Sequence, residues 1–335
     1  MALTGPIEPG GAKTKVVVPD DFPPVMADSA ALTRLRKKSD IEVAVHGDRP
    51  SSESALIERT DGAHTVVVMR STTEMSHAVF EALPELRHVA LWGTATDHIA
   101  IDSARRLGIA VTNTPNTATD AVAEHALALM LALARRIPEL DQRVREGEWP
   151  RGLLTQLAGK TSGIVGTGLV GRRMAQICIG IGMNVLASSL NPDEEPVHSL
   201  PSGARETDLE TLLRNSDVVS IHTRLSRGTI HMFGRPQFAL MKPTALFVNT
   251  ARGRLVDEYA LAEALRNESI AGAALDVFEH EPIKGDNPLL QMPNVILSPH
   301  TAGTTAEALD RGLNMTVDNV LAFFDGGRIV DLAGR

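Results

Sequence analysis

Three side chains suited to acid–base and anion-binding chemistry lie in the second half of the chain. Arg252 follows an apolar run at 245–248, and His300 follows another at 295–297. An arginine can bind a carboxylate through two parallel hydrogen bonds, and a histidine can give and take a proton near neutral pH. Glu281, between them in the sequence, is a candidate partner for the histidine. These residues predict a site that binds a small acid and moves a proton.

A glycine turn precedes these residues in the chain. Gly166, Gly168 and Gly171 have G-x-G-x-x-G spacing, follow a short apolar run and open a helical pattern that ends at Gly182. In such a strand–turn–helix unit the first glycine permits the turn, and the second lets the backbone approach a pyrophosphate. The third lets the helix pack closely on the strand, and the helix N-terminus attracts phosphate. The pattern indicates a dinucleotide site.

The residues that would bind the ribose are unusual. Ser188 and Ser189 occupy the place where an acidic residue commonly selects NAD, and no acidic residue follows before 193–195. No arginine lies beside the serines to select NADP. Arg172 and Arg173 begin the helix, and we expect them to be solvated residues of its outer face. The sequence favours NAD and leaves NADP, or the use of both, open.

Strands and helices alternate along both halves of the chain, which predicts parallel sheets covered on both faces. Ligands bind at the carboxyl ends of such strands, so His222 and Asp276, which each follow a strand, also face the site. The predicted strands are 16–18, 42–45, 65–69, 88–92, 110–112, 164–165, 185–187, 218–221, 245–248, 271–275 and 295–297. The predicted helices are 29–38, 52–60, 74–83, 97–107, 121–136 with a polar extension towards 148, the helix after the glycine turn, 208–214, 236–241, 257–266 and 304–324.

Composition limits the classes of function. The chain has 335 residues, 43% of them hydrophobic and 22% charged, and a formal net charge of -8, which argues against nucleic acid or an anionic membrane as partner. No apolar run is long enough to cross a bilayer, and residues 1–15 lack a signal-peptide core. The one cysteine, Cys178, lies on the apolar helix face and is expected in the core. No metal-ligand spacing is present. These features favour a cytoplasmic protein.

Seven segments, in order and spacing, resemble the D-isomer-specific 2-hydroxyacid dehydrogenase family, and the resemblance covers nearly the whole chain after residue 60. The segments are Gly93-Thr-Ala-Thr-Asp-His-Ile99, Val122-Ala-Glu-His-Ala126, Gly163-Ile-Val-Gly-Thr-Gly-Leu-Val-Gly171, Asn249-Thr-Ala-Arg-Gly-Arg-Leu-Val-Asp257, Ala273-Ala-Leu-Asp-Val-Phe278, Glu281-Pro282 and Ser298-Pro-His300.

The resemblance implies a role for each matching residue. Arg252, Glu281 and His300 would be catalytic, with Glu281 favouring the charged form of the histidine. The cofactor-binding residues it implies are Gly166, Gly168, Leu169, Val170, Gly171, Ser189, His222, Thr223, Thr250, Ala251, Arg252, Asp276 and His300. The substrate-binding residues it implies are Arg70, Ser71, Thr94, Ala95 and Arg252. His125 is expected to be structural and Trp149 to pack behind the long helix.

Three positions depart from the family pattern. The acidic ribose position is serine, as described. Arg224 stands where proline is common, which would reshape the cofactor loop, although an exposed loop residue is the simpler expectation. Ala95 stands where a second glycine is common, which would narrow the substrate pocket.

The resemblance implies an α/β fold of two Rossmann-like or flavodoxin-like parallel-sheet domains. A cofactor domain, 116–302, would be inserted in a split substrate domain, 1–115 and 303–335, and closure between them would exclude water. It also implies a homodimer, with the apolar helix 121–136 contributing. Because the sequence stops soon after the last predicted helix, no added C-terminal regulatory domain is expected.

The expected reaction is reversible, NAD(P)-dependent reduction of a small 2-keto acid to a D-2-hydroxy acid. Formate oxidation is disfavoured because the residue paired with the histidine is Glu281 rather than glutamine. Phosphite or phosphoglycerate oxidation remains open, as does a dinucleotide-sensing binding protein like the family's transcriptional corepressors. Turnover of small keto acids would separate the enzyme from the sensor.

Overall fold

The computed structural model describes residues 13–69, 71, 73–189 and 200–334 of the chain. Strands and helices alternate through them. The strands are β1 (Thr14–Val18), β2 (Ile41–Val45), β3 (Thr65–Val68), β4 (His88–Leu91), β5 (Ala110–Thr112), β6 (Thr161–Val165), β7 (Asn184–Ser188), β8 (Ala204–Glu206), β9 (Val218–Ile221), β10 (Leu246–Asn249), β11 (Gly272–Leu275) and β12 (Val295–Leu297). The helices are α1 (Ala30–Arg36), α2 (Glu53–Thr60), α3 (His77–Ala82), α4 (Ile101–Leu107), α5 (Thr119–Ala134), α6 (Ile137–Arg145), α7 (Leu169–Gly180), α8 (Leu209–Asn215), α9 (Arg235–Leu240), α10 (Glu258–Arg266) and α11 (Ala306–Phe324). Two short 3-10 helices span Gly253–Leu255 and Pro288–Gln291.

The chain divides into two compact units. One comprises Met1–Ala118 with Thr305–Arg335, and the other is the continuous segment Thr119–Thr304. The sequence predicted boundaries at 115/116 and 302/303. That the split unit binds substrate and the continuous unit binds cofactor stays a prediction.

The split unit contains a five-stranded parallel sheet of order β2-β1-β3-β4-β5. This is the flavodoxin-like order. All residues of β3 and β4 are buried, as expected for parallel strands covered on both faces. Helix α11 lies over β4, and Gly312 makes the approach possible, because a Cβ atom there would lie 2.1 Å from Trp92 Nε1.

The continuous unit contains a seven-stranded parallel sheet of order β12-β11-β10-β9-β6-β7-β8. When β6 is counted as the first strand, this is the Rossmann order with one further strand, β12, added at an edge. The strand order reverses between β6 and β9. Helices α5 and α7 pack on one face, where Met130, Met174 and Cys178 are fully buried. Burial raises the pKa of the Cys178 thiol to about 11, so the expected core role of this cysteine is confirmed.

The predicted fold class, two parallel-sheet α/β domains, is confirmed. Three local features differ from what the sequence predicted. The long helix ends at Ala134, because Arg136 adopts a left-handed φ of 49°, and its extension is the separate helix α6. The edge strand β8 was missed, because its sequence is polar and largely exposed. Trp149 does not pack inside, since it is 74% exposed. Among the described helices, none is long and apolar enough to span a membrane.

His88 is a buried titratable group in the core of the split unit. Its Nε2 lies 2.9 Å from Thr112 Oγ1, its ring stacks on Phe323 of α11 at 4.5 Å, and its Nδ1 lacks a partner in the described part of the chain. Burial lowers the pKa of His88 from its ordinary 6.5 to about 3. The folded protein therefore holds this ring neutral at physiological pH.

We expect His88 to make the split unit less stable in mild acid. The unfolded chain takes up a proton near pH 6.5 and the folded chain only near pH 3, so the free energy of unfolding falls as pH drops below 6.5. The loss is about 2 kcal/mol between pH 7 and pH 5. Urea unfolding of a Trp149→Phe background, followed by Trp92 fluorescence, measures it. His88→Gln should flatten this dependence, and an unchanged slope in that variant would contradict the assignment.

Candidate active site

The crevice where the strand order reverses brings three predicted segments together. The N–H of Gly166 donates to Ser188 O at 2.9 Å, and the N–H of His222 donates to Val165 O at 2.7 Å. The glycine turn after β6 therefore lies between the ends of β7 and β9. This crevice, at the carboxyl edge of the sheet, is where open α/β sheets bind ligands.

Two glycines of the turn are required by packing. Gly166 has a φ of 98°, and a Cβ atom there would lie 2.7 Å from the backbone of His222 and Thr223. A Cβ atom on Gly171 would lie 1.9 Å from Gly166 O. The predicted cofactor residues His222 and Thr223 thus form one wall of the turn.

Gly168 has a different role. A Cβ atom on it would meet nothing within 4 Å, and its φ of -66° suits any residue. As N-cap of α7, Gly168 has no side chain to accept from the first-turn N–H groups, which begin at Leu169 and Val170. The turn therefore combines open space with free N–H donors at a positive helix end, as a pyrophosphate requires.

This difference predicts that substitution of one glycine lowers stability, whereas substitution of the other weakens dinucleotide binding. Gly171→Ala should lower the melting temperature, because α7 must shift to relieve the clash, at a cost of about 1–3 kcal/mol. Gly168→Ala should leave the melting temperature unchanged and weaken dinucleotide binding by roughly tenfold or more, about 1.4 kcal/mol, because its methyl group fills the phosphate space. Thermal unfolding and calorimetric titration with NADH measure the two effects. If Gly168→Ala binds NADH normally, the turn does not hold the pyrophosphate.

Two buried polar atoms at the carboxyl ends of β9 and β10 lack partners. Within the described ranges, Thr250 Oγ1 and His222 Nδ1 make no hydrogen bond. His222 Nε2 lies 2.9 Å from Ser220 Oγ. Burial lowers the pKa of His222 to about 4, so the ring is neutral at pH 7. Unpaired buried polar groups are rare in proteins, and two at this edge of the sheet fit a ligand with polar groups of its own.

The turn after β10 carries Arg252 and is held by Asn249. Asn249 accepts from the N–H of Ala251 at 3.0 Å and donates to Arg252 O at 2.9 Å. Gly253 packs against the next loop, since a Cβ atom on it would lie 1.9 Å from the carbonyl carbon of Phe278. The half-buried Arg252 is therefore fixed beside the loop that contains Glu281.

Glu281 and His300 form a direct pair. Glu281 Oε2 accepts from His300 Nδ1 at 2.6 Å, while Glu281 Oε1 accepts from the N–H of Phe278 at 3.0 Å. With Nδ1 committed to the carboxylate, Nε2 is the nitrogen able to exchange a proton with a bound molecule. The predicted acid–base partners are brought into contact, although both ends of the pair come from loops.

Asp276 holds the loop that carries His300. Its fully buried carboxylate accepts from Ser298 Oγ at 2.6 Å and from the N–H groups of Thr301 and Ala302 at 3.0 and 2.8 Å. His300 itself has a left-handed φ of 54°, and its N–H donates to Asp276 O at 2.8 Å. Asp276 thus binds the side chain of Ser298, which precedes His300, and the backbone N–H groups of the two residues that follow His300.

His125 on α5 completes this network. Its Nε2 lies 3.0 Å from Ser298 Oγ and 3.4 Å from Asp276 Oδ1. Burial opposes ionisation of Asp276, but the hydrogen bonds from His125, Ser298, Thr301 and Ala302 outweigh it and hold the pKa of Asp276 below its usual value. The sequence pointed to Asp276 as a cofactor contact and to His125 as a structural residue, but it did not predict that His125 and Ser298 bind Asp276.

The predicted substrate residues belong to the split unit. Ser71 follows β3, and Thr94 and Ala95 follow β4, so they share one edge of that sheet. Thr94 O accepts from Asn113 Nδ2 at 2.8 Å. Arg70 lies outside the described residues, as do the acidic residues 193–195. The substrate role of Ser71, Thr94 and Ala95 stays a prediction.

Ser189 is half-buried after β7, and Arg224 is exposed as expected. The expectation for the two arginines of α7 was half right. Arg173 is partly exposed, with 42% of its side-chain surface accessible, and pairs with Asp120 at 2.7 Å. Arg172 is half-buried, and its Nη1 is fully covered and lacks a hydrogen-bond partner within the described ranges.

The sequence profile described as "D-isomer specific 2-hydroxyacid dehydrogenase, NAD binding domain" matches residues 127–302, which include the glycine turn and the Glu281–His300 pair. The chain belongs to the D-isomer specific 2-hydroxyacid dehydrogenase family. Membership of this family confirms the predicted class of activity, an NAD(P)-dependent oxidoreductase acting between 2-keto and 2-hydroxy acids.

The proteins and solved structures that this chain is similar to carry several different names. The glyoxylate reductase of Korarchaeum cryptofilum is 42% identical over 285 residues, covering 83% of this chain and 85% of that protein. The D-3-phosphoglycerate dehydrogenase of Archaeoglobus fulgidus is 40% identical over 287 residues, covering 85% of this chain but 54% of that protein. A solved acyclic imino acid reductase in complex with NADPH and D-Arg is 27% identical with a TM-score of 0.84, covering 95% of this chain and 99% of that one.

Proposed function

We propose that this chain reduces a small 2-keto acid to the D-2-hydroxy acid, with Arg252, Glu281 and His300 as its catalytic residues. The observation that carries the proposal is the 2.6 Å contact between Glu281 Oε2 and His300 Nδ1, beside the turn that presents Arg252. A cation for the carboxylate and a titratable group for the oxygen are what this reaction needs.

Each residue has one task in this reaction. The guanidinium of Arg252 binds the substrate carboxylate through two hydrogen bonds and polarises the adjacent keto oxygen. His300, protonated, donates its Nε2 proton to that oxygen as the carbon is reduced, and in the reverse direction Nε2 removes the hydroxyl proton. Glu281 holds Nδ1 and compensates the positive charge of the ring. One proton and one hydride are added to the keto group.

The continuous unit has the residues to bind a nicotinamide dinucleotide, which supplies the hydride when bound. The glycine turn and the first N–H groups of α7 suit the pyrophosphate. Thr250 Oγ1 and His222 Nδ1, which lack hydrogen-bond partners among the described residues, suit other parts of the dinucleotide. The residues assigned to this cofactor are Gly166, Gly168, Leu169, Val170, Gly171, Ser189, His222, Thr223, Thr250, Ala251, Arg252, Asp276 and His300. NAD and NADP are both compatible with this assignment.

Glyoxylate is the substrate we propose to test first, because the relative with 42% identity over 83% of this chain is named a glyoxylate reductase. A phosphoglycerate-type oxidation is the second candidate, supported by the relative from Archaeoglobus fulgidus.

A cytoplasmic location stays a prediction from the sequence, and the proposed homodimer rests on an exposed apolar segment. Six large apolar side chains are exposed between residues 131 and 154, from the end of α5 through α6 and the segment that follows it. Five of them expose more than a third of their surface, and the sixth is fully exposed. These are Leu131, Ile137, Val144, Trp149 and Leu154, with Leu153. Such a concentration marks protein interaction surfaces, and a second copy of this chain is the partner we propose. Size-exclusion chromatography with light scattering tests this.

The deciding experiment for the reaction is the loss of NADH or NADPH absorbance with glyoxylate, hydroxypyruvate, pyruvate and bulkier 2-keto acids. Turnover with any of them supports the proposal, and the oxidation of 3-phosphoglycerate tests the second candidate. If the protein binds dinucleotide but turns over none of these substrates, the proposal fails and a dinucleotide-sensing role gains support.

A further inference from the structure

The guanidinium of Arg172 lies on the first turns of α7 and is incompletely satisfied. Its Nη1 is buried, yet no hydrogen-bond acceptor contacts it in the described part of the chain. Leaving a donor of a charged group buried and unpaired costs free energy. A ligand that supplies the acceptor is one explanation for such an atom in a native protein.

The direction of Arg172 follows from the helix it belongs to. Ile179, seven residues later, covers the β7–β8 side of the sheet, since a Cβ atom on Gly203 would lie 3.5 Å from its Cδ1. Residues seven apart lie on nearly the same helix face, at 3.6 residues per turn. Arg172 therefore faces the β7 side, about two turns nearer the carboxyl edge of the sheet than Ile179. Gly171 faces β6 and Arg173 faces α5, as their contacts show.

The end of β7 is the place of the adenosine ribose in this fold. Ser188 O accepts from the N–H of Gly166 at 2.9 Å, so the strand ends directly beside the phosphate turn. An acidic residue at this point binds the ribose 2′-hydroxyl of NAD, whereas an arginine nearby accommodates the 2′-phosphate of NADP. Here Ser188 and Ser189 take the acidic position, and neither repels a phosphate.

We infer that the site selects the 2′-phosphorylated dinucleotide, NADP(H), with Arg172 as the residue that binds the 2′-phosphate beside Ser188 and Ser189. A guanidinium forms strong, paired hydrogen bonds with phosphate, and the phosphate oxygens supply the acceptor that Nη1 lacks. The inference rests on the proposed function for the identity of the ligand, and it deepens that function by choosing between the two nucleotides.

The test uses two fragments of the cofactor, 2′,5′-ADP and 5′-AMP, which differ by the 2′-phosphate. Calorimetric titration of the full chain should show 2′,5′-ADP binding at least tenfold tighter than 5′-AMP. Arg172→Gln should abolish that difference and leave 5′-AMP binding unchanged. Arg173→Gln is the matched control, because it removes the neighbouring arginine from the α5 side, and it should keep the full preference. Arg172→Lys should retain part of it.

Two outcomes overturn the inference: equal binding of the two fragments by the wild type, or an equal loss for both in Arg172→Gln with a native circular dichroism spectrum. A second readout is the ratio of kcat/KM for NADPH over NADH, which should fall at least tenfold in Arg172→Gln. If the wild type prefers 2′,5′-ADP but reduces no keto acid, the proposed function fails and this inference stands.

Discussion

His300→Gln should lower kcat for keto-acid reduction by roughly 10²- to 10⁴-fold, the range that general acid catalysis contributes. Glutamine can still hydrogen-bond Glu281 but cannot deliver a proton. Binding of the dinucleotide should change little, because the glycine turn is untouched. Stopped-flow measurement of cofactor oxidation under single-turnover conditions places the loss in the chemical step.

The matched control for His300 is His280→Gln. His280 is an exposed imidazole next to Glu281 in sequence, and its loss should leave kcat within about twofold of the wild type. A His300→Gln variant that keeps more than a tenth of the wild-type kcat would remove His300 as the acid–base group.

Arg252→Gln should lower kcat/KM for the keto acid by on the order of 10³-fold. Hydrogen bonds to charged groups contribute about 1.5–3 kcal/mol each, and the guanidinium makes two of them to the substrate carboxylate. Arg252→Lys should recover only part of the loss, since an ammonium group cannot pair with both oxygens in the same plane. Steady-state kinetics with glyoxylate provides the measurement.

Arg254→Gln is the control for Arg252, because Arg254 is an exposed arginine two residues along the same turn. It should retain wild-type kcat/KM. Equal losses in the Arg252 and Arg254 variants would indicate a general electrostatic effect of positive charge rather than a specific carboxylate contact.

Some strands with continuous apolar sequence were predicted to the residue, and others to within one to three residues at an end. Strand 218–221 has the predicted bounds and is buried throughout, as expected for a parallel strand covered on both faces. Strand 295–297 also has its predicted bounds, although its residues are only partly buried. β8 lies at the edge of its sheet and carries Arg205 and Glu206, so no apolar pattern marks it. The break at Arg136 was hidden for another reason: arginine carries no signal for a left-handed backbone.

The residues proposed for catalysis could be found because each follows a strand or belongs to a recognisable segment. The supporting contacts could not. Asp276 and Ser298 are 22 residues apart and His125 is 173 residues from Ser298, so only the folded sheet brings them together. Arg172 and Arg173 are neighbours in sequence, and which of them faces β7 depends on how α7 is rotated on the sheet.

The insertion of one unit into the other imposes an order on synthesis. Strands β1–β5 leave the ribosome before α11, yet α11 supplies Leu313, Val317 and Val320 to the core that covers Val16, Val67 and Ala90. All of Thr119–Thr304 must be translated in between, which takes roughly 10–40 s at about 5–20 residues per second. During that interval the nascent first sheet presents an uncovered apolar face. Chaperones that bind such surfaces should therefore engage ribosomes carrying this chain most strongly before α11 emerges.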